Sequence, residues 1–218
     1  MADARHTSER DSLVAITLGA AFLGLYLLTT CRTVFWYDSA EYVTAAVTLG
    51  IPHPPGYPLY TILGHLFTKL PVDPAVAVNA MSGTFAAIAV ALTYLVCRRL
   101  GMDRVPSGVG AATLGGGKLF WANAVVAEVY CPALAVVALV IYLLLRSRQE
   151  GRFGLTALAA FVAGLGLGIH LSIATLGLGF ALLVWAYGTP IERPGDLRRL
   201  LSGAGFWAAI EPAPCVQS

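Results

Sequence analysis

Charge is what this sequence has least of. Asp, Glu, Lys and Arg make up 12% of its 218 residues and hydrophobic residues 57%, a balance that a water-soluble domain of this size cannot hide in one core. Lipid must therefore be the solvent for most of the chain. The formal net charge is only +2, with no long basic stripe, which excludes nucleic acid as a partner. The four cysteines, Cys31, Cys97, Cys131 and Cys215, lack CxxC or Cys/His spacing, so neither a zinc site nor a disulfide framework is expected, and they read as small apolar fillers. A nucleotide-binding motif is also missing. Gly115-Gly116-Gly117-Lys118 falls short of a phosphate loop because Ala112 stands where a glycine is needed and Leu119 where Ser or Thr is needed. The glycines at 164, 166 and 168 follow no soluble strand, and close helix packing explains them better. No small-x-small cleavage site follows the first apolar run, so residues 1–12 read as a retained cytoplasmic tail.

What is abundant is apolar sequence in runs of membrane length. A crossing helix needs about 20 apolar residues, with every backbone group bonded internally. That criterion predicts an all-α, polytopic transmembrane bundle of about six spans, near 13–30, 75–97, 105–120, 132–145, 153–172 and 174–187. Arginines mark alternate connections. Arg5 and Arg10 precede the first span, Arg98, Arg99 and Arg104 follow the second, Arg146, Arg148 and Arg152 the fourth, and Arg193, Arg198 and Arg199 the sixth. With these segments cytoplasmic, the opposite face receives the long segment 31–74, the short segment 121–131 and the turn around His170. Within the long outer segment, 39–49 and 57–70 read as short surface helices, the first ended by Gly50 and the second bounded by prolines. The transmembrane domain then occupies 13–200. Residues 201–218 begin like a further span and break at Glu211-Pro212-Ala213-Pro214, which reads as a truncated or frame-shifted end.

The ionisable residues of the outer face carry the chemistry. Asp38-Ser39-Ala40-Glu41 sets two carboxylates at i and i+3 on one helix face, beyond an aromatic belt of Phe35, Trp36 and Tyr37. An Asp N-cap with Glu at N3 also resembles a capping box, which needs no chemistry to explain it. The prolines of His53-Pro54-Pro55-Gly56-Tyr57-Pro58 stiffen the chain around His53. This is either a rigid turn or a mount holding the imidazole toward a phosphate or sugar hydroxyl. Glu128, two residues before Tyr130, and His170 are ionisable groups in apolar surroundings, which is costly in lipid unless they face a cavity or a partner. Packing alone can account for a single one. The charge-derived topology, however, puts Asp38, Glu41, His53, Glu128 and His170 on one side of the membrane. Lys118 either snorkels to the outer interface or meets a lipid phosphate. A divalent cation on Asp38 and Glu41 is an open alternative that nothing in the spacing demands.

The runs Tyr37-Asp38-Ser39-Ala40-Glu41, Gly50-Ile51-Pro52-His53-Pro54-Pro55-Gly56-Tyr57-Pro58-Leu59 and Phe120-Trp121-Ala122-Asn123-Ala124-Val125-Val126-Ala127-Glu128-Val129-Tyr130 resemble the protein O-mannosyltransferase-like membrane family. Its members are related to transmembrane O-mannosyltransferases of the GT-C fold. The resemblance extends to about residue 187, over what looks like the N-terminal portion of longer members. It implies a multi-span glycosyltransferase that moves a sugar, mannose in this family, from a polyprenyl-phosphate carrier to a protein hydroxyl on the non-cytoplasmic face. The implied roles are Asp38 as base, Glu41 positioning the acceptor or the base, and His53 with Lys118 or Arg32 at the phosphate. Tyr57, Glu128, Tyr130 and His170 would line the pocket. No cofactor is required by this reading, and the partners are membrane lipid, the lipid-linked sugar and the acceptor protein. A transporter or flippase would instead place its site near the midplane between repeats, and no convincing repeat is present. A non-catalytic scaffold would tolerate loss of Asp38 and Glu41. The Ala-, Gly- and Val-rich style points to a bacterial inner membrane, with the site toward the periplasm or exterior.

Overall fold

The computed structural model describes residues 8–175, all of whose regular structure is helical: α1 (Glu9–Thr29), α2 (Asp38–Thr48), α3 (Pro58–Phe67), α4 (Pro74–Arg99), α5 (Arg104–Gly116), α6 (Lys118–Ala124), α7 (Tyr130–Glu150) and α8 (Phe153–Gly166), then a single 3-10 turn, Leu171–Ile173. Among the described residues three helices, α1, α4 and α7, are long and apolar enough to cross a membrane. The run 105–120 is not one continuous span. Its helix stops at Gly116, Gly117 adopts an extended conformation, and α6 starts at Lys118; the glycine triplet weakens the helix and leaves the break cheap. By length alone, the 13 residues of α5 rise only about 20 Å against a hydrocarbon thickness of about 30 Å. The 14-residue α8 ends at Gly166 and gives way to the 3-10 turn, so 153–172 is likewise not a single helix. The sixth span at 174–187 lies almost wholly outside the described residues, as does 201–218.

α4 is the axis of the bundle, with α1, α5 and α7 packed around it. Its sequence explains that position, since Ala77, Gly83, Ala86, Ala87 and Ala89 are buried along it and small side chains let helix backbones approach closely. Gly83 marks a close approach on α4. A Cβ there would stand 3.2 Å from both the Ala124 carbonyl oxygen and the Tyr26 Cβ. α1 is apolar on all sides, and Leu13, Ile16 and Leu28 point outward, as a lipid-facing helix requires.

The two ends of α4 differ. Beside its C-terminal end, the buried Asp11 of α1 accepts from Arg98 Nε at 3.1 Å, Arg104 Nε at 2.9 Å and Tyr94 Oη at 3.3 Å. Arg99 donates to Gln149 Oε1 and Glu150 Oε1, both at 3.0 Å, and so ties α4 to α7. At its N-terminal end, Asn79 Nδ2 donates to the carbonyls of Cys31 and Thr33 at 2.9 and 3.1 Å, while Cys31 N–H reaches the Val125 carbonyl at 2.9 Å. The arginines and the segments around Cys31 and Val125 thus occupy opposite ends of one 26-residue helix.

Candidate active site

The site begins where α2 begins. Tyr37 sits at the N-cap with φ of 63°, and no side chain caps the helix. Asp38 therefore lies inside the first turn rather than before it. The capping-box geometry does not form, because Asp38 is one position too far along to bond the N3 amide. Its carboxylate is left exposed. α2 ends in Leu49 at φ 52°, whose N–H bonds the Ala45 carbonyl, so the left-handed turn falls one residue before Gly50. α3 starts at Pro58, and its N-cap Tyr57 is also left-handed, at φ 43°. The two helices close on each other where Gly64 meets Ala46. A Cβ on Gly64 would stand 2.9 Å from that of Ala46, and His65 Nδ1 contacts the Ala46 carbonyl at 2.8 Å.

The loop between them returns His53 to α2. Glu41 accepts the His53 backbone N–H through Oε1 at 2.6 Å and meets His53 Nδ1 through Oε2 at 2.7 Å. On the other side of the ring, Nε2 lies 3.2 Å from Tyr57 Oη and 4.0 Å from Asp38 Oδ2. The sequence spacing had paired Asp38 with Glu41. The fold pairs Glu41 with His53 and leaves Asp38 facing them, without a hydrogen bond of its own among the described residues. The His53 bond draws Glu41 below the ordinary carboxylate range, and the same bond raises His53.

Aromatic rings floor the cluster. Tyr42, buried, packs edge-on to Tyr57 with centroids 5.5 Å apart and lies 5.8 Å from the His53 ring. Tyr57 stacks on His170 at 6.1 Å, and His170 meets Tyr130 at 5.7 Å. His170 is delivered by the turn after α8, where the Gly168 carbonyl accepts the first free amides of α3, Leu59 N–H at 2.8 Å and Tyr60 N–H at 3.3 Å. Glu128 enters from the non-helical segment between α6 and α7. Ser82 of α4 holds its backbone, with the Glu128 N–H donating to Oγ at 3.1 Å and Oγ donating back to the Glu128 carbonyl at 3.2 Å. Burial first, then the charge of Asp38, pushes the Glu128 carboxyl up to about 7. Burial likewise pushes the Tyr42 hydroxyl above its ordinary value.

Asp38, Glu41, His53, Tyr57, Glu128, Tyr130 and His170 are thus linked by contact or by charge. Lys118 and Arg32 are exposed, and neither touches this cluster among the described residues. Lys118 instead lines an open groove of about 730 Å³ with Thr113, Leu114, Phe120, Leu134 and the same Tyr130 that meets His170. Sequence reasoning missed Tyr42, Ser82 and Gly168. Tyr42 was detectable four residues after Asp38, on the same helix face, whereas nothing local marks Ser82 or Gly168. A cation could be shared by Asp38, Glu41 and His53, whose donor atoms lie within 4.8 Å of one another. Both Glu41 oxygens are already engaged by His53, so a cation would first have to open that pair.

Comparison with known proteins shows the family of this chain. Residues 38–190 match the family described as the protein O-mannosyl-transferase TMEM260 N-terminal domain. The mouse protein O-mannosyl-transferase TMEM260 is 32% identical over 159 residues, covering 70% of this chain and 23% of the mouse protein. The Dictyostelium discoideum protein of the same name is 33% identical over 75 residues, 33% of this chain and 9% of its own length. The chain thus spans less than a quarter of these curated relatives. No solved structure matches it. The family match begins at Asp38 and runs through every residue of the cluster, and this chain belongs to the TMEM260 protein O-mannosyltransferase family, in its N-terminal domain.

Proposed function

We propose that this chain forms the catalytic end of a membrane glycosyltransferase that moves mannose from a polyprenyl-phosphate carrier to a protein hydroxyl on the non-cytoplasmic face. The observation that carries the reading is the unbonded carboxylate of Asp38, set among Glu41, His53 and Glu128 at the end of the bundle opposite its arginines. Short loops rich in arginine stay cytoplasmic, so the cluster faces outward. Family membership supplies the reaction class, and a GT-C helical arrangement of about six spans belongs to the same proposal. So does a bacterial inner membrane with the site toward the periplasm or exterior.

Sugar transfer to a hydroxyl needs a base for the acceptor, support for an oxocarbenium-like sugar, and charge relief on the departing phosphate. Asp38, exposed and hydrogen-bonded to nothing among the described residues, is free to take the acceptor's proton as the C1–oxygen bond forms. The bond from C1 to the phosphate oxygen breaks, and its electron pair leaves with the carrier. Glu128, near half protonation at neutral pH, can donate to a sugar oxygen. The groove beside Lys118 is apolar with one ammonium at its wall, a composition that suits a lipid tail and its phosphate. Arg32, exposed in the segment that α4 pins through Asn79, is the second candidate for that phosphate. A transporter would bury its ionisable groups near the middle of the bundle. Here Asp38, Glu41, His53 and Glu128 gather at one end.

The test is transfer from labelled polyprenyl-phosphate mannose to acceptor protein in membranes carrying the full-length protein. Asp38→Asn at matched abundance is expected to abolish it. Undiminished transfer by that variant would return Asp38 to a bystander and sink this reading. Transfer is expected to persist in EDTA. Loss on chelation, reversed by a divalent ion, would replace the metal-free account with a cation held by Asp38 and His53.

A further inference from the structure

We propose that Tyr130 and His170 form the subsite for the donor's sugar, with the pyranose lying on the Tyr130 ring at the junction of the Lys118 groove and the carboxylate cluster. The proposal rests on the sugar-transfer reading, in which C1 of the sugar must face the carrier phosphate on one side and the acceptor's base on the other. The sugar therefore belongs where the lipid groove and the cluster meet. Among the described residues, Tyr130 is the one that lines the groove and also touches the cluster. It is the first residue of α7, two positions after Glu128, whose backbone Ser82 holds in place.

The ring is supported yet open. Its centroid lies 5.7 Å from that of His170, with the planes inclined at 44°, and the residue is still 57% exposed. An aromatic face is apolar and electron-rich, while a pyranose carries a patch of C–H bonds on one face and hydroxyls around its edge. Such a sugar packs on a ring and forms its hydrogen bonds at the rim. His170 supplies a rim donor. Its Nδ1 accepts the Ser172 N–H at 3.2 Å and lies 2.7 Å from Ser172 Oγ. A ring nitrogen that accepts carries no hydrogen, so the imidazole hydrogen sits on Nε2, which has no partner among the described residues. Behind His170 the buried Tyr57 stacks at 6.1 Å and 25°. The row from Tyr57 through His170 to Tyr130 thus runs from the floor of the carboxylate cluster to the groove wall, and it grows more exposed toward the groove.

The competing account makes Tyr130 an interfacial anchor, since tyrosines gather at the ends of membrane spans. Equilibrium binding to the full-length protein in nanodiscs separates the two accounts. The two ligands share one prenyl chain and the same single phosphate charge: polyprenyl-phosphate mannose, and the methyl ester of the same polyprenyl phosphate. Wild type is expected to bind the mannosyl ligand more tightly than the methyl ester. Tyr130→Ala and Tyr130→Leu are expected to weaken the mannosyl ligand about three- to tenfold and to bind the methyl ester as wild type does. Tyr130→Phe, which keeps the ring, is expected to restore the mannosyl ligand's affinity, and His170→Ala to weaken that ligand alone. Equal affinity of wild type for the two ligands overturns the subsite. So does a loss shared equally by both ligands in Tyr130→Ala and Tyr130→Leu, which is what an anchor or a plain groove wall would give, and so does unchanged binding by both variants. Wild-type protein that prefers the mannosyl ligand yet transfers no mannose overturns the sugar-transfer reading and leaves a sugar-binding site at Tyr130.

Discussion

Asp11 and Asp38 are carboxylates in the first turns of two helices, at opposite ends of the bundle, and they are treated in opposite ways. Asp11 is 1% exposed and satisfied on every side, by two arginines, the Tyr94 hydroxyl and a capping box with Ser8. Asp38 is exposed, and no side chain or amide bonds it among the described residues. A buried charge must be compensated fully, or its desolvation cost dominates. A charge kept for chemistry must instead be left accessible and uncommitted. The arginine-rich end of this protein is built as a lock between α1, α4 and α5. The opposite end is built as a socket whose walls, Glu41 with His53 and Glu128 with Ser82, are fixed while its central carboxylate is not.

The sharpest break of that contrast is the pair Asp38→Asn and Asp11→Ala. Asp38→Asn removes no hydrogen bond that holds the fold and relieves the repulsion of Glu128, so thermal unfolding in detergent is expected not to fall while transfer falls by about 100-fold or more. Asp11→Ala strands Arg98, which is largely buried, and is expected to cost about 3 kcal/mol of stability, since one partner of a buried ion pair is lost. A chain that survives is expected to keep its kcat, because the change lies at the far end of α4. Were Asp38→Asn to lower the melting temperature as Asp11→Ala does, the distinction between lock and socket would collapse.

A smaller effect is expected at Gly168, whose carbonyl holds α3 in place and whose turn delivers His170. A Cβ there would stand 2.9 Å from Leu59 Cβ and 3.2 Å from Leu59 N, closer than the backbone can accept without moving. Gly168→Ala is expected to cost about 1–2 kcal/mol through overpacking and to lower transfer several-fold by drawing His170 off Tyr57. A variant with wild-type melting and kcat would show that His170 does not need Tyr57.

How much of this was legible beforehand follows from which signals are local. Apolar runs and arginine placement are properties of short windows, and they located α1, α4 and α7 and separated the two ends. The break at Gly117 escaped because hydropathy averages over a glycine triplet that geometry does not tolerate. In the site, Asp38, Glu41, His53, Glu128 and His170 stood out as ionisable residues in apolar or rigid surroundings. Their pairing did not, since Glu41 meets His53 only once α2 and the proline loop have folded on each other. Tyr42 and Ser82 are an ordinary tyrosine and an ordinary serine by sequence. Tertiary contact alone makes one the floor beneath His53 and the other the clamp on Glu128.

That clamp gives the smallest effect and the finest test of the comparison, because Glu128 stands between the two extremes, buried in part yet in no ion pair among the described residues. Its carboxyl is raised to about 7 by burial and by the charge of Asp38, whereas the unfolded chain ionises near the ordinary glutamate value of about 4.3. Below that ordinary value both states are protonated, and Glu128 makes stability independent of pH. Between it and about 7 the unfolded chain releases a proton that the folded protein keeps, so stability falls as pH rises, and above 7 the loss is complete. Glu128→Gln removes the titration while conserving shape. Its melting temperature should therefore match wild type near pH 4 and exceed it by a few degrees at pH 8. Curves that stay parallel from pH 4 to pH 8 would mean that Glu128 is solvated like Asp38 and that the socket is more open than its burial implies.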